Sequence, residues 1–229
     1  MNLASLFSGG KDSTFALYWA LKNGHKVSCL ITLIPERSDS YMFQVPNVEL
    51  TTYHSEALGI PLLQGKTSGI KEEELEDLKK IIALAKEKYK IEGVVAGALA
   101  SDYQKSRVEK ICKDLQLKCF SPYWHYDVEK YLGEIIAAGF KVIITSISAE
   151  GLTEELLGKE LSPELLEKLK AISGKTKFHL GFEGGEAETM VLDGPIFRKR
   201  IEIVEAEKVM ESRNSGWLKI RKLELVPKN

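Results

Sequence analysis

The chain has 229 residues, 44% hydrophobic and 28% charged, which is enough apolar material to bury a core and excludes global disorder. Its 32 Lys and Arg against 33 Asp and Glu leave a formal charge of -1, with no chain-wide drive toward nucleic acid or an anionic membrane. No apolar run reaches the roughly 18 residues of a membrane span. Residues 1–7 meet Ser8-Gly9-Gly10-Lys11-Asp12 before they can form a signal h-region, so a cytoplasmic protein is expected. Cys29, Cys112 and Cys119 form an odd set without a C-x-x-C pair, which argues against a disulfide framework, a zinc site or a thioredoxin-like motif. All three read as buried thiols. Nine Asn and Gln beside abundant Lys and Glu is a bias met in proteins from hot environments.

The first 125 residues alternate short β-branched runs with amphipathic stretches, predicting an α/β fold with an open, mostly parallel sheet and helices on both faces. Strands are expected at 3–7, 27–34, 61–64, 93–96 and 118–120, each nearly continuous in apolar residues, as a sheet covered on both sides requires. Leu75, Leu78, Ile82, Ala85 and Tyr89 recur at helical spacing and predict a helix over 72–88 with one buried stripe. Asn47 and Ser162 read as helix N-caps, the second followed by proline at the first helical position. Beyond residue 125 a helix (127–138), a long apolar strand (140–148) and a second helix (162–171) precede a β-rich stretch with strands at 189–192, 197–204 and 217–226. In the last of these the apolar phase slips by one residue between Ile220 and Leu223, which predicts a bulge or bend. The expected organisation is a nucleotide-binding domain over 1–125 and a smaller α+β domain over 126–229, the latter with its own sheet.

Ser8-Gly9-Gly10-Lys11-Asp12-Ser13 falls between the first strand and the first helix, where an open α/β sheet meets its ligands. Two glycines let backbone N–H groups approach an anion, the helix adds its positive end, Ser8 and Ser13 add hydroxyls, and Lys11 adds charge. Lys11 is followed by Asp, so the loop is not a Walker A motif. The S-G-G-x-D-S pattern resembles the pyrophosphate loop of the N-type ATP pyrophosphatases, with their adenine nucleotide alpha hydrolase-like fold, which implies ATP as a bound co-substrate.

Two further segments gather chemistry. Gly97 through Arg107 follows the fourth strand: Ser101 or Asp102 can cap a helix, Tyr103 and Arg107 share one flank, and Val108, Ile111 and Leu115 form the buried face. Taken alone, this segment also fits an ordinary amphipathic helix with a solvated face. Glu183, Glu186 and Glu188 surround Gly184-Gly185, an acidic turn that would raise proton affinities or gather a cation such as ammonium or magnesium.

In order and spacing the three segments resemble the diphthine–ammonia ligase (diphthamide synthetase) family. Tyr41-Met42-Phe43, Pro46-Asn47, the stretch from Glu56 to Pro61, Pro122-Tyr123-Trp124, Ser148 to Leu152 and Leu157-Gly158 extend the resemblance to nearly the whole chain. Gln44 stands where the family often has histidine, and Phe182 precedes Glu183 where glycine is usual.

The resemblance implies a ligase that amidates diphthine on translation elongation factor 2 with ammonia, through an acyl-adenylate, releasing AMP and pyrophosphate. It implies that Ser8, Gly9, Gly10, Lys11, Asp12 and Ser13 hold the departing pyrophosphate, with Asp12 helping to position Mg2+. Leu33 and Gly97 would line the adenine slot. Ser101, Tyr103, Gln104, Arg107 and Glu188 would bind substrate, with Arg107 a planar donor to carboxylate or α-phosphate. Glu183 and Glu186 would collect ammonium and accept its proton, and the connection 35–46 would close over the intermediate. A tRNA-modifying enzyme of the same superfamily and a non-catalytic ATP-binding module are the alternatives; unpaired cysteines and near-zero charge weigh against the first. A homo-oligomer is compatible with the composition.

Overall fold

The computed structural model describes residues 1–36, 47–68, 70, 73–99 and 102–228, the side chains of 102–104 excepted. In the first of its two units, Met1–Trp124, the apolar runs form β1 (Asn2–Leu6), β2 (Lys26–Pro35), β3 (Leu62–Thr67), β4 (Gly93–Val95) and β5 (Lys118–Phe120). They form one sheet in the order β3-β2-β1-β4-β5. All four pairings are parallel, so every connection has to cross over. Helices α1 (Lys11–Lys22), α2 (Thr51–Leu58), α3 (Glu73–Tyr89) and α4 (Asp102–Asp114) lie on those crossovers. The chain winds outward from β1 to β3 and then returns to β4 on the opposite side of β1. That reversal opens a crevice beyond the C-terminal ends of β1 and β4.

The helical stripe of α3 is buried at Leu78, Ile81, Ile82 and Ala85, against Ala4, Cys29, Ile31, Leu33 and Val94 of the sheet; Leu75 and Tyr89 are only partly buried at its ends. From α4, Val108, Ile111 and Cys112 join the same core, with Leu115 at its margin. Asn47 precedes a 3-10 turn, Val48–Leu50, rather than an α-helix. It adopts φ 66°, and its carbonyl, not its side chain, accepts from Leu50 N–H, so the expected side-chain cap is absent there. The connection 37–46, with Gln44, lies outside the described residues.

The second unit, His125–Asn229, carries an antiparallel sheet of β6 (Lys141–Ser148), β7 (Ala187–Asp193), β8 (Lys199–Ser212) and β9 (Ser215–Pro227), ordered β7-β6-β9-β8. Two helices, α5 (Val128–Ala137) and α6 (Pro163–Thr176), complete it. Asp127 caps α5 by accepting from Lys130 N–H at 2.8 Å, and Ser162 caps α6 by accepting from Leu165 N–H at 3.1 Å. The phase slip in β9 is a bulge: Ile203 pairs with Leu223 and Ala206 with Ile220, with the register shifting between them, and Val204 is half exposed there. β8 runs eight residues beyond its expected end. Its distal half is held by cross-strand backbone pairing and by ion pairs such as Arg221–Glu207 at 2.7 Å, which carry no apolar alternation for a sequence pattern to register. No helix among the described residues is long and apolar enough to cross a membrane.

Ser162→Ala removes the acceptor for Leu165 N–H and should lower stability by about 1 kcal/mol, read as a shift in the urea unfolding midpoint at unchanged slope.

Candidate active site

The loop between β1 and α1 is held by the sheet at its start. Phe7 N–H donates to Ile31 O (2.8 Å), and Thr32 Oγ1 donates to Phe7 O (2.6 Å), which fixes the point where the chain leaves β1. Gly9 then takes φ 81°, a left-handed conformation that favours glycine, and Gly10 serves as N-cap of α1 with no side chain to offer its amides. Ser13 Oγ donates to Gly10 O (3.2 Å), accepts from Ser8 N–H (3.2 Å) and lies 3.2 Å from Ser8 Oγ, so the two serines brace the loop from inside. Lys11 is 3% exposed, and its Nζ lies 2.8 Å from Asp12 Oδ2, whose side chain is 27% exposed. A buried ammonium at the positive end of a helix requires an anion nearby, and Asp12 meets that requirement from within the loop.

Gly97, at the exit of β4, touches this loop directly. A Cβ added there would lie 2.5 Å from the carbonyl carbon and oxygen of Asp12 and 2.7 Å from Ser13 N. These are backbone atoms in the first turn of α1 and have no side chain to swing away. Glycine at 97 is therefore what allows the end of β4 to abut the loop. Leu33, expected beside it in the adenine slot, is 3% exposed, and its side chain packs into the core beneath α3. Arg107 is half-buried on α4. Tyr103 and Gln104 occupy the first turn of that helix by backbone, and Ser101 lies outside the described residues.

His54 contributes a contact that the sequence reading did not single out. It is 1% exposed on α2, its ring meets Phe7 edge-on at 5.5 Å, and a Cβ on Gly9 would lie 2.8 Å from its Cε1. The imidazole thus forms the floor under Gly9. A signal was present in the helical spacing of Thr51, His54, Ala57 and Leu58, all buried, which turns this histidine inward.

The acidic turn belongs to the second unit and is organised by one of its own carboxylates. Glu186 accepts from His179 N–H through Oε1 and from Gly184 N–H through Oε2, both at 2.8 Å, closing the turn around itself. Its own carbonyl accepts from Ser148 N–H (2.7 Å), anchoring the turn to β6. Glu183 and Glu188 are half-buried, Glu188 on β7 opposite Ser146. Phe182 adopts φ 65°, the conformation that glycine supplies easily and that costs a bulky residue about 1–2 kcal/mol. Its ring is 5% exposed and stacks on Phe178 at 6.1 Å, and this burial offsets the strain.

Among the described residues, no group of three or more His, Cys, Asp or Glu is arranged to hold a metal ion. Asp12 offers a carboxylate of the kind Mg2+ takes when phosphates and water supply its remaining oxygens.

Phe182→Gly relieves the backbone but removes a buried ring worth about 3–5 kcal/mol, so the variant should be less stable by about 2 kcal/mol in equilibrium denaturation. A gain in stability would show that the backbone conformation dominates.

Two family matches follow the two units. The diphthamide synthase N-terminal domain matches residues 1–119 and the diphthamide synthase C-terminal domain residues 127–226. The chain is 36% identical to the diphthine–ammonia ligase of Mus musculus, across all of this chain and 94% of that protein. It is 37% identical to the diphthine–ammonia ligase of Schizosaccharomyces pombe, across 96% of this chain and 39% of that longer protein. A crystal structure described as a predicted subunit of tRNA methyltransferase from Methanocaldococcus jannaschii DSM aligns at 16% identity, covering 85% of this chain and 98% of that one, with a TM-score of 0.42. With both domain families matched in order and a relative aligned end to end, the chain belongs to the diphthamide synthase family.

Proposed function

We propose that this chain is an ATP-dependent carbon–nitrogen ligase that converts the carboxylate of diphthine, on translation elongation factor 2, to the amide of diphthamide with ammonia. The observation that carries this reading is the braced S-G-G-K-D-S loop at the β1/β4 crevice, in a chain of the diphthamide synthase family.

A carboxylate is a poor electrophile and needs activation. Its oxygen attacks the α-phosphorus of ATP, the bond from that phosphorus to the bridging oxygen breaks, and pyrophosphate leaves with the electron pair. The N–H groups at the start of α1, the Ser8 and Ser13 hydroxyls and the Lys11 ammonium receive the charge that develops on the leaving group, a preorganised stabilisation that is commonly the largest contribution to such catalysis. Asp12 would hold Mg2+, which when bound neutralises charge on the phosphates. Arg107 orients the substrate carboxylate or the α-phosphate through its planar donor face. Ammonia then adds to the acyl carbon, and the bond to AMP oxygen breaks.

Ammonium is not a nucleophile until it loses a proton, and in this reading Glu183 and Glu186 do not share that task equally. Both oxygens of Glu186 already accept backbone N–H groups, so Glu186 shapes the turn, while Glu183 binds ammonium and takes its proton. Glu188 lies along the same edge and contacts the substrate.

The direct test is mass analysis of elongation factor 2 carrying diphthine after incubation with the protein, ATP and ammonium. The expected result is a loss of about one mass unit, carboxyl to amide, with AMP and pyrophosphate formed in step. AMP that appears only with tRNA, or ATP that is bound and never cleaved, would contradict the proposal. Lys11→Ala should lower turnover at least tenfold, a loss of about 1.4 kcal/mol or more of transition-state stabilisation.

The two glutamates separate in a second measurement. Glu183→Gln should preserve pyrophosphate release and slow amide formation. Glu186→Gln turns an amide N–H2 toward a backbone N–H and should destabilise the second unit by about 1–3 kcal/mol. Equal effects of the two on the rate of amide formation would refute the division of roles.

A further inference from the structure

The three cysteines do not behave as three separate buried thiols. α4 ends and β5 begins through a tight reversal in which Gln116 adopts φ 53° and Leu117 N–H donates to Cys112 O at 2.8 Å. The reversal brings Cys112 of α4 and Cys119 of β5 together, with their thiols in hydrogen-bond contact. The sequence spacing concealed this pair, because six residues and a change of secondary structure separate the two. Cys29 sits apart on β2, 0% exposed, and burial pushes its thiol up to about 12.

The members of the pair are unlike. Cys112 is 1% exposed and lies in the core with Val94, Val108 and Ile111. Cys119 is on the edge strand of the sheet, packs on that core from outside and is partly exposed. The hydrogen bond from Cys112 holds the Cys119 thiol below its usual range against the opposing effects of burial and the Glu109 carboxylate, with the Lys105 ammonium a smaller lowering influence. The same bond, together with burial, pushes Cys112 up. A partly exposed sulfur in contact with a fully buried one is the arrangement of an attacking and a resolving cysteine.

We propose that Cys112 and Cys119 form a reversible dithiol–disulfide site that reacts with low-molecular-weight disulfides, Cys119 attacking and Cys112 resolving. The Cys119 thiolate displaces one thiolate, RS−, from an oxidant RSSR and forms a mixed disulfide. Cys112 then loses its proton, its sulfur attacks Cys119 Sγ, and the second RS− departs. Two protein thiols are oxidised, one RSSR is reduced to two RSH, and the two protons lost by the protein are taken up by the two RS−. The resulting bond ties the last turns of α4, the helix that carries Arg107, to the edge strand β5. A short closed loop of this kind restricts the unfolded chain and raises the unfolding temperature.

The experiment incubates the full chain, natively folded, with oxidised glutathione, then counts thiols by alkylation and maps the peptides by mass spectrometry. The expected result is loss of two thiols, a link between Cys112 and Cys119, an intact Cys29, and an unfolding temperature higher by about 5 °C, all reversed by dithiothreitol. Cys112→Ala should trap a glutathione adduct on Cys119, and Cys119→Ala should take up neither adduct nor link. Three thiols retained in the wild-type chain, a stable adduct without a link, or a link through Cys29 would each overturn the proposal. The wild-type result is decisive even where a variant folds poorly.

Discussion

A positively charged side chain buried at the positive end of a helix is the constraint from which the first unit is organised. Lys11 has 3% of its surface exposed at the first position of α1, where the helix end carries roughly half a unit of positive charge. Asp12, one residue on, meets the ammonium at 2.8 Å. That pairing neutralises the lysine and leaves the attraction of the helix end for an anion in place. The rest of the loop is shaped to present that attraction: two glycines remove side chains from the approach, and Ser8 and Ser13 fasten the bend from within. Gly97 lets the exit of β4 press on the backbone of Asp12 and Ser13, so the loop is determined by the sheet as well as by its own residues.

A parallel logic governs the acidic turn of the second unit. Three carboxylates gather in one turn, and Glu186 accepts from the amides of His179 and Gly184. The turn is therefore built around a carboxylate, and Glu183 and Glu188 remain at its rim. Phe182 shows how this chain accommodates a bulky residue at a left-handed position. It keeps the left-handed backbone that a glycine would adopt and offsets the strain by burying its ring on Phe178.

Much of this is legible in the amino-acid sequence. Strands buried on both faces must be continuous in apolar residues, so the parallel sheet was readable from composition runs, and the α3 stripe from its spacing. Ser162 was readable as a cap because Pro163 follows it. The phase slip between Ile220 and Leu223 marked the bulge opposite Val204. What escaped was contact at a distance. Gly97 leaves room for the backbone of Asp12 and Ser13, a contact between distant segments. The Leu33 side chain fills the core under α3. His54 beneath Gly9, and Cys112 beside Cys119, depend on how crossovers return to the sheet, which local pattern does not encode. Asn47 carries a capping side chain, yet its positive φ precedes a 3-10 turn and its carbonyl does the bonding.

The account rests on the loop from Ser8 to Ser13 receiving the β and γ phosphates of ATP. The most direct measurement is a crystal structure with a non-hydrolysable ATP analogue and magnesium. It should place those phosphates within hydrogen-bond distance of the N–H groups at the start of α1 and of Lys11 Nζ, with Gly97 still against Asp12. Density for the triphosphate at another place, with the loop unchanged and without contact to it, would contradict the account.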